Sequence, residues 1–272
     1  MRTPPGHSIS DQIPKARFLP ILVSLFLLQL PLFAQGDHLK FGNPGGHGQI
    51  LDKEFFVICH DNTLKIPQWV GYHLKGVDAK ITGPRVEDFR ADEQLDPTER
   101  SELKDYKRSG FDRGHMAPAN DFKRSKRAMS ATFVLSNMCP QKANLNRKIW
   151  KKLEADVHKL AIEHGNVWTF TGPLFLDSSG QPISASKFIG PDRVAVPTHF
   201  FKVVLCEHES GTHEMFAFIM QNRARTLTGK PKDYMVTVDK VEAESGFDFF
   251  STLPDSAENA LESIKATNWP IH

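Results

Sequence analysis

The sequence predicts an α+β fold, and three observations predict it. Several short apolar runs have the length and composition of core strands. Two of them, "THFFKVVLCEHE" and "HEMFAFIMQN", flank "SGT" as a β-hairpin. One long segment, 145–165, has clear helical periodicity. These elements follow one another without the regular βα alternation of a doubly wound sheet, which leaves α+β as the fitting class.

In chain order, "GDHLKFGNPGGHG" (36–48) is a Gly-rich entry segment. "EFFVICHD" follows as a continuous apolar run, the mark of a core strand. "TLKIPQWVGYHLK" is a second strand with Pro67 near its start. Residues 83–110 are polar and turn-rich, a long surface excursion of the kind that is usually functional or disordered. "RSKRAMSATFVLSN" leads from a polar segment into a short strand. The helix at 145–165 places Leu145, Ile149, Leu153, Val157 and Leu160 on one stripe, and Gly165 can cap its end. "NVWTFTGPLF" reads as a strand that stops at Gly-Pro, and a last helix falls near 255–266.

The 272-residue chain is 40% hydrophobic and 24% charged, ordinary values for a protein with a real core. Residues 1–34 differ. Arg2, Lys15 and Arg17 precede the apolar run "FLPILVSLFLLQLPLF", and Ala34 closes it. That pattern is the one expected of a cleaved signal peptide at 1–34, followed by a single domain at 35–272, and hence of a secreted or periplasmic protein. A membrane anchor needs about 20 apolar residues, and Pro20 and Pro31 shorten this run. A cleaved chain would have no stable membrane association. A mitochondrial presequence suits the acid-poor start but not the long charge-free run. Without residues 1–34, Lys+Arg falls from 34 to 31 and Asp+Glu from 32 to 31, so a polyanion would be met by local patches rather than a global field. Cys59, Cys139 and Cys206 lack C-x-x-C spacing and read as small buried hydrophobes.

Two segments could carry chemistry. "GFDRGHMAPAND" (110–121) sets Asp112, Arg113 and His115 around Gly114. A neutral imidazole can take a proton near neutral pH, and a guanidinium can grip phosphate oxygens. Alone, the stretch reads equally well as a charged turn. On the helix, Asn146, Trp150 and Glu154 recur at intervals of four and share a face beside the apolar stripe. Eight residues separate Asn146 from Glu154 by about 12 Å along the axis. The two cannot easily touch one small ion. Mg²⁺ keeps several waters, so Asn146 could bind it directly while Glu154 reaches only its water shell. Taken alone, this helix reads better as a solvated polar face.

"DRGHMAPAND" strongly resembles the signature of the DNA/RNA non-specific endonucleases, the ββα-metal nucleases of the endonuclease G type. "SNMCPQ" (136–141), "LNRKIWKKLE" (145–154), "TGPLF", "VPTHFFKVV", "AFIMQN" and "ESGFDFF" resemble the same family in order, from about Phe41 to about Pro254. The resemblance implies a central antiparallel sheet flanked by helices, with a ββα-metal active-site motif. It implies a metal-dependent hydrolase that cuts DNA and RNA with little sequence preference, leaves 5′-phosphate ends, and in some cases works as a homodimer. It implies that His115 is the general base, Asn146 the direct ligand of Mg²⁺ (or Mn²⁺), and Glu154 the holder of a metal-bound water. Arg113 would support the phosphate, Asp112 would be chiefly structural, and Asn137 and Gln141 would line the site. The family's upstream substrate-binding arginine corresponds to Arg85 or Arg90, and both stay open. Lys123, Arg124, Lys126, Arg127, Arg147, Lys148, Lys151 and Lys152 are candidate phosphate contacts beside such a site. Two other readings remain: a relative that binds nucleic acid without cutting it, and a phosphodiesterase for non-nucleic substrates. Cys206, His208 and His213 lack a fourth zinc ligand and read as ordinary strand residues.

Overall fold

The structure is a computed structural model that describes residues 1–2, 36–266 and 269. The expected signal at 1–34 therefore lies outside the described residues, apart from Met1 and Arg2. In chain order the strands are β1 (Gln49–Asp52), β2 (Val57–Asp61), β3 (Ile66–Lys75), β4 (Asp112–His115), β5 (Met138–Gln141), β6 (Asn166–Leu174), β7 (Phe188–Ile189), β8 (Val194–Ala195), β9 (His199–Glu207), β10 (His213–Gln221) and β11 (Met235–Val236). The helices are α1 (Gly76–Ala79), α2 (Leu103–Tyr106), α3 (Lys126–Ala131), α4 (Lys151–His164), α5 (Val238–Ser245) and α6 (Asp255–Glu262).

A 7-stranded sheet in the order β1-β2-β3-β6-β9-β10-β11 forms the centre. All its pairings are antiparallel. Pro67 cannot donate to the ladder, and the register shifts where it meets His60. Strand β9 shows why both faces must be covered. Phe200, Val204 and Cys206 join one core with Ile149, Leu153, Val157 and Leu160, whereas Phe201, Val203 and Leu205 join another with Trp69, Trp168, Val241 and Phe249. The period-2 alternation of the strand thus supplies two apolar faces, one under α4 and one under α5 with its following phenylalanines. All three cysteines are buried and free. No helix among the described residues is long and apolar enough to cross a membrane.

Strands β4 and β5 form a separate antiparallel ribbon in which Gly114 pairs with Cys139 and His115 with Met138. A π turn, Leu145–Trp150, then runs directly into α4. Strand, strand and helix together make the ββα element. Gly114 is required by close packing: a Cβ there would stand 2.4 Å from Gln141 Oε1. Helix α4 ends as expected at Gly165, whose φ is 102° and whose N–H bonds to Ala161 O.

Two local expectations change. The segment 124–137 does not run into a strand. The Ser125 hydroxyl accepts from Ala128 N and caps α3, a tight turn follows at Leu135–Asn137, and strand geometry begins only at Met138. A serine cap outweighs the β-prone run that follows it. The last helix stops at Glu262 rather than near 266.

Asn137 joins the ribbon to this turn. It is fully buried, its Oδ1 accepts from Ala117 N at 2.9 Å, and its Nδ2 donates to Ala117 O at 3.0 Å and Thr132 O at 2.9 Å. An orphaned buried polar group costs about 1–3 kcal/mol. Asn137→Ala is expected to lower stability by at least about 2 kcal/mol in urea unfolding; an unchanged midpoint would remove the residue from this structural role.

Candidate active site

The ββα element opens into a cleft of about 1090 Å³. Asp112, Arg113, His115, Asn146, Glu154 and Arg85 all line it. Its walls also carry Phe89, Lys107, Phe111, Arg147 and Lys151.

The π turn explains how Asn146 and Glu154 come to face one cleft. In a regular α-helix eight positions make about 2.2 turns, leaving the two side chains about 80° apart. A π turn holds about one extra residue, so the same interval amounts to about two turns and the side chains nearly align. Trp150 does not share this face, as regular spacing suggested. It is fully buried in the core with the apolar stripe.

Asp112 fixes the start of this helix. Its Oδ2 accepts from Asn146 Nδ2 at 2.9 Å and from Arg147 Nε at 2.8 Å, and its Oδ1 accepts from Arg147 Nη2 at 2.6 Å. A carboxylate only accepts. The Asn146 amide must therefore turn its nitrogen to Asp112, which leaves Oδ1 as a free acceptor. That is the donor atom a hard cation takes. Burial raises the Asp112 carboxyl pKa, but the bonds from Arg147 and Asn146 more than offset this and hold it below the usual range.

His115 sits between aromatic rings, 5.0 Å from Phe133 edge-on and 5.7 Å from Phe89. Its Nε2 has no hydrogen-bond partner among the described residues. Burial first, then the charges of Arg85 and Arg113, push its pKa down to about 3. The imidazole is therefore neutral and able to accept a proton across the physiological range. Arg113 lies over Phe89, with Cζ 3.8 Å from the ring centroid, and the stacking holds its guanidinium flat. Arg85 donates to Glu87 at 2.8 Å. Arg90 lies outside the cleft lining and is spent on Asp88 and the Ser130 carbonyl. The geometry thus separates two arginines that spacing could not.

Asn137 and Gln141 fall behind the ribbon and not in the cleft. Both are fully buried, and Gln141 lies against Gly114. Of the basic residues around the motif, Arg147 and Lys151 reach the cleft, whereas Arg124 and Arg127 pair with Asp78 and Glu54.

Beneath Glu154 lies a buried polar layer that spacing did not reveal. Lys202 on β9 is fully buried, donates to Thr171 Oγ1 at 2.6 Å and sits 5.5 Å from the Trp150 ring. Asp121 accepts from Tyr72 OH at 2.8 Å and from His158 Nδ1 at 2.7 Å. Burial pushes the Glu154 carboxyl up, Lys202 pulls it back, and Asp121 raises it again. The available signal was a lone lysine in the apolar strand "THFFKVVLC".

A neutral, partly buried imidazole, an oriented amide oxygen and two guanidinium groups around one open cleft define a hydrolase site built for a phosphodiester. The comparisons with known proteins agree. A family model described as DNA/RNA non-specific endonuclease matches residues 34–256. Nuclease C1 of Cunninghamella echinulata var. echinulata is 38% identical over 222 residues, covering 79% of this chain and 88% of that protein. Mitochondrial Endonuclease G of Homo sapiens is 35% identical over 235 residues, covering 85% and 78%. A solved structure of an EndoG/EndoGI complex superposes with a TM-score of 0.75 at 33% identity, covering 82% of this chain and 93% of that one. The chain belongs to the DNA/RNA non-specific endonuclease family, and it is a nuclease that acts without sequence specificity, of a metal-dependent, endonuclease G-like kind. One expectation is corrected. Relatives that include endonuclease G are mitochondrial, which overturns the secreted or periplasmic location drawn from residues 1–34.

The depressed His115 pKa has a definite sign. Between about pH 3 and 6.5 the unfolded chain binds a proton that the folded site refuses, so this group's contribution to stability falls as pH drops through that window. The ring of His115 in metal-free protein is expected to stay neutral at pH of about 5 by NMR titration; a midpoint near the ordinary histidine value would contradict the burial argument.

Proposed function

We propose that His115 is the general base of phosphodiester hydrolysis, that Asn146 Oδ1 is the direct protein ligand of the divalent ion, and that Glu154 holds a water of its shell. The observation that carries this reading is the Asp112–Asn146 bond, which turns the amide oxygen free inside the cleft that also holds the neutral His115. Bound there, a divalent ion supplies Lewis-acid stabilisation of charge developing on the phosphate and the leaving oxygen. His115 takes the proton of the attacking water. Phe89 and Phe133 hold its ring in place, and Arg85 and Arg113 keep it uncharged while offering their own charge to the phosphate. The oxygen-only donor set favours Mg²⁺, with Mn²⁺ as the alternative. The family resemblance, rather than the geometry, is the ground for proposing 5′-phosphate products, a nuclease domain over 35–272 and a homodimer.

His115→Ala is expected to lower the rate on plasmid DNA and on RNA by about 10²–10⁴ while leaving the melting temperature intact. Asn146→Ala is expected to shift the Mg²⁺ dependence to higher concentration. Parental cutting by folded His115→Ala would sink the base assignment, and an unchanged metal titration would remove Asn146 from its role.

The two upstream arginines should differ in kind. Arg85→Ala is expected to raise KM for single-stranded DNA and to reduce the slope of log affinity against log salt by about 0.7, the value of one phosphate contact. Arg90→Ala should leave that slope alone. Equal slopes for both variants would return the choice between them to where spacing left it.

A further inference from the structure

A second cluster of charge lies apart from the cleft residues, between α5 and α6. Asp239 and Glu242 stand three apart on α5 and so share a face. Glu262 comes from the last turn of α6, which packs against α5. One ligand atom from each of these three carboxylates lies within 4.8 Å of the others. Acidic clusters are common on surfaces and signify little when solvated. This one is different because Glu262 is only 6% exposed and its Oε1 has no hydrogen-bond partner among the described residues. Glu258, one turn earlier on the same helix face, also has a buried Oε1 without a partner.

The charges acting on Glu262 are those of Glu242, Glu258, Asp239 and Asp248, and all of them are acids. Burial first, and then this repulsion, push its carboxyl up to about 8. A buried carboxylate without a counter-charge is costly and must be neutralised. Only a proton or a cation can do so here.

We propose that Asp239, Glu242 and Glu262 bind a hard divalent cation of the Ca²⁺ type, which clamps α6 to α5. The donors are carboxylate oxygens only, the set that suits Ca²⁺, Mg²⁺ or Mn²⁺ and not a thiolate- or imidazole-seeking metal. Ca²⁺ holds oxygens at about 2.3–2.6 Å, so ligands on opposite sides of it stand about 5 Å apart. The observed spacing already fits within that span. Glu242 is held in place because its Oε1 accepts from Phe249 N at 2.8 Å, which leaves its other oxygen for the ion. Asp239 is exposed and provides the solvent-facing entry.

The test is calorimetric titration of Ca²⁺ into chelator-stripped full-length protein, paired with melting curves, at a pH of about 9, above the Glu262 carboxyl's value of about 8, so that proton competition is weak. The catalytic cleft could take the same ion, so Asn146→Ala is titrated alongside. Wild type and Asn146→Ala are both expected to retain a Ca²⁺ site whose occupancy raises the melting temperature. Glu262→Gln is expected to bind at that site at least about tenfold more weakly, since ligand charge sets Ca²⁺ affinity, while its nuclease activity in Mg²⁺ is unchanged. Glu262→Gln keeps the side-chain shape and removes a buried charge, so it should fold in chelator at least as well as wild type. Asp239→Asn, at the exposed rim, repeats the test without touching the buried position. Wild-type melting indifferent to Ca²⁺ would mean that protons alone neutralise the cluster. That result, or equal Ca²⁺ affinity in wild type and Glu262→Gln, overturns the proposal.

Discussion

The carboxylate of Asp112 is the constraint on which the cleft depends. It sits on β4, three residues before His115, yet its three hydrogen bonds go to Asn146 and Arg147 in the π turn. A strand that carries His115 is thereby tied to the helix that carries Asn146. Because a carboxylate cannot donate, the contact also settles which way the Asn146 amide points. Position and chemical polarity are fixed by one side chain. An amide with free rotation would present nitrogen and oxygen to the cleft in turn, and only the oxygen is useful to a cation.

A second layer of constraint stands behind the first. Asn137 bonds both backbone groups of Ala117 and so holds the chain just past His115. Gly114 lets the Gln141 side chain lie across the ribbon. Asp121, at the end of the same motif, bridges Tyr72 on β3 and His158 on α4. The stretch from 112 to 121 therefore serves two ends: its first residues face the cleft, and its last acid anchors the helix to the sheet. This explains why its polar residues do not behave as a charged turn, which would leave them solvated.

Much of this was legible in the sequence, and what was not has identifiable causes. Long strands such as β6, β9 and β10 were readable because burial on both faces demands continuous apolar runs. The stripe Leu145, Ile149, Leu153, Val157 was readable because its residues pack against one core. The sharing of a face by Asn146 and Glu154 was anticipated for an insufficient reason, since regular helical spacing would also have brought Trp150 to the cleft. The π turn was invisible to a periodicity argument that assumes 3.6 residues per turn. Asn137 and Gln141 were expected to line the site because they lie in a motif adjoining it, but adjacency in sequence does not say which side of a ribbon a side chain takes. That Arg85 lines the cleft and Arg90 turns to Asp88 and the distant Ser130 carbonyl depends on packing that spacing does not show.

Lys202 shows how the sheet itself reaches into the chemistry. Its strand neighbours on that face, Phe200 and Val204, are core residues, and an isolated ammonium at the same depth would be strongly destabilising. Burial pushes its pKa down, while Glu154 and Asp121 hold the charged form in place. Read from the other side, Glu154 lies between burial, which disfavours its charge, and Lys202, which favours it. In the proposed role of holding water beside a cation, Glu154 must be able to carry charge without being locked into a direct ion pair. Lys202 meets that need by supplying positive potential from below while its own hydrogen bond goes to Thr171. The central strand β9 thus contributes to the site through a field rather than a contact, and a residue of this kind is found by asking what compensates a buried charge rather than by matching a motif.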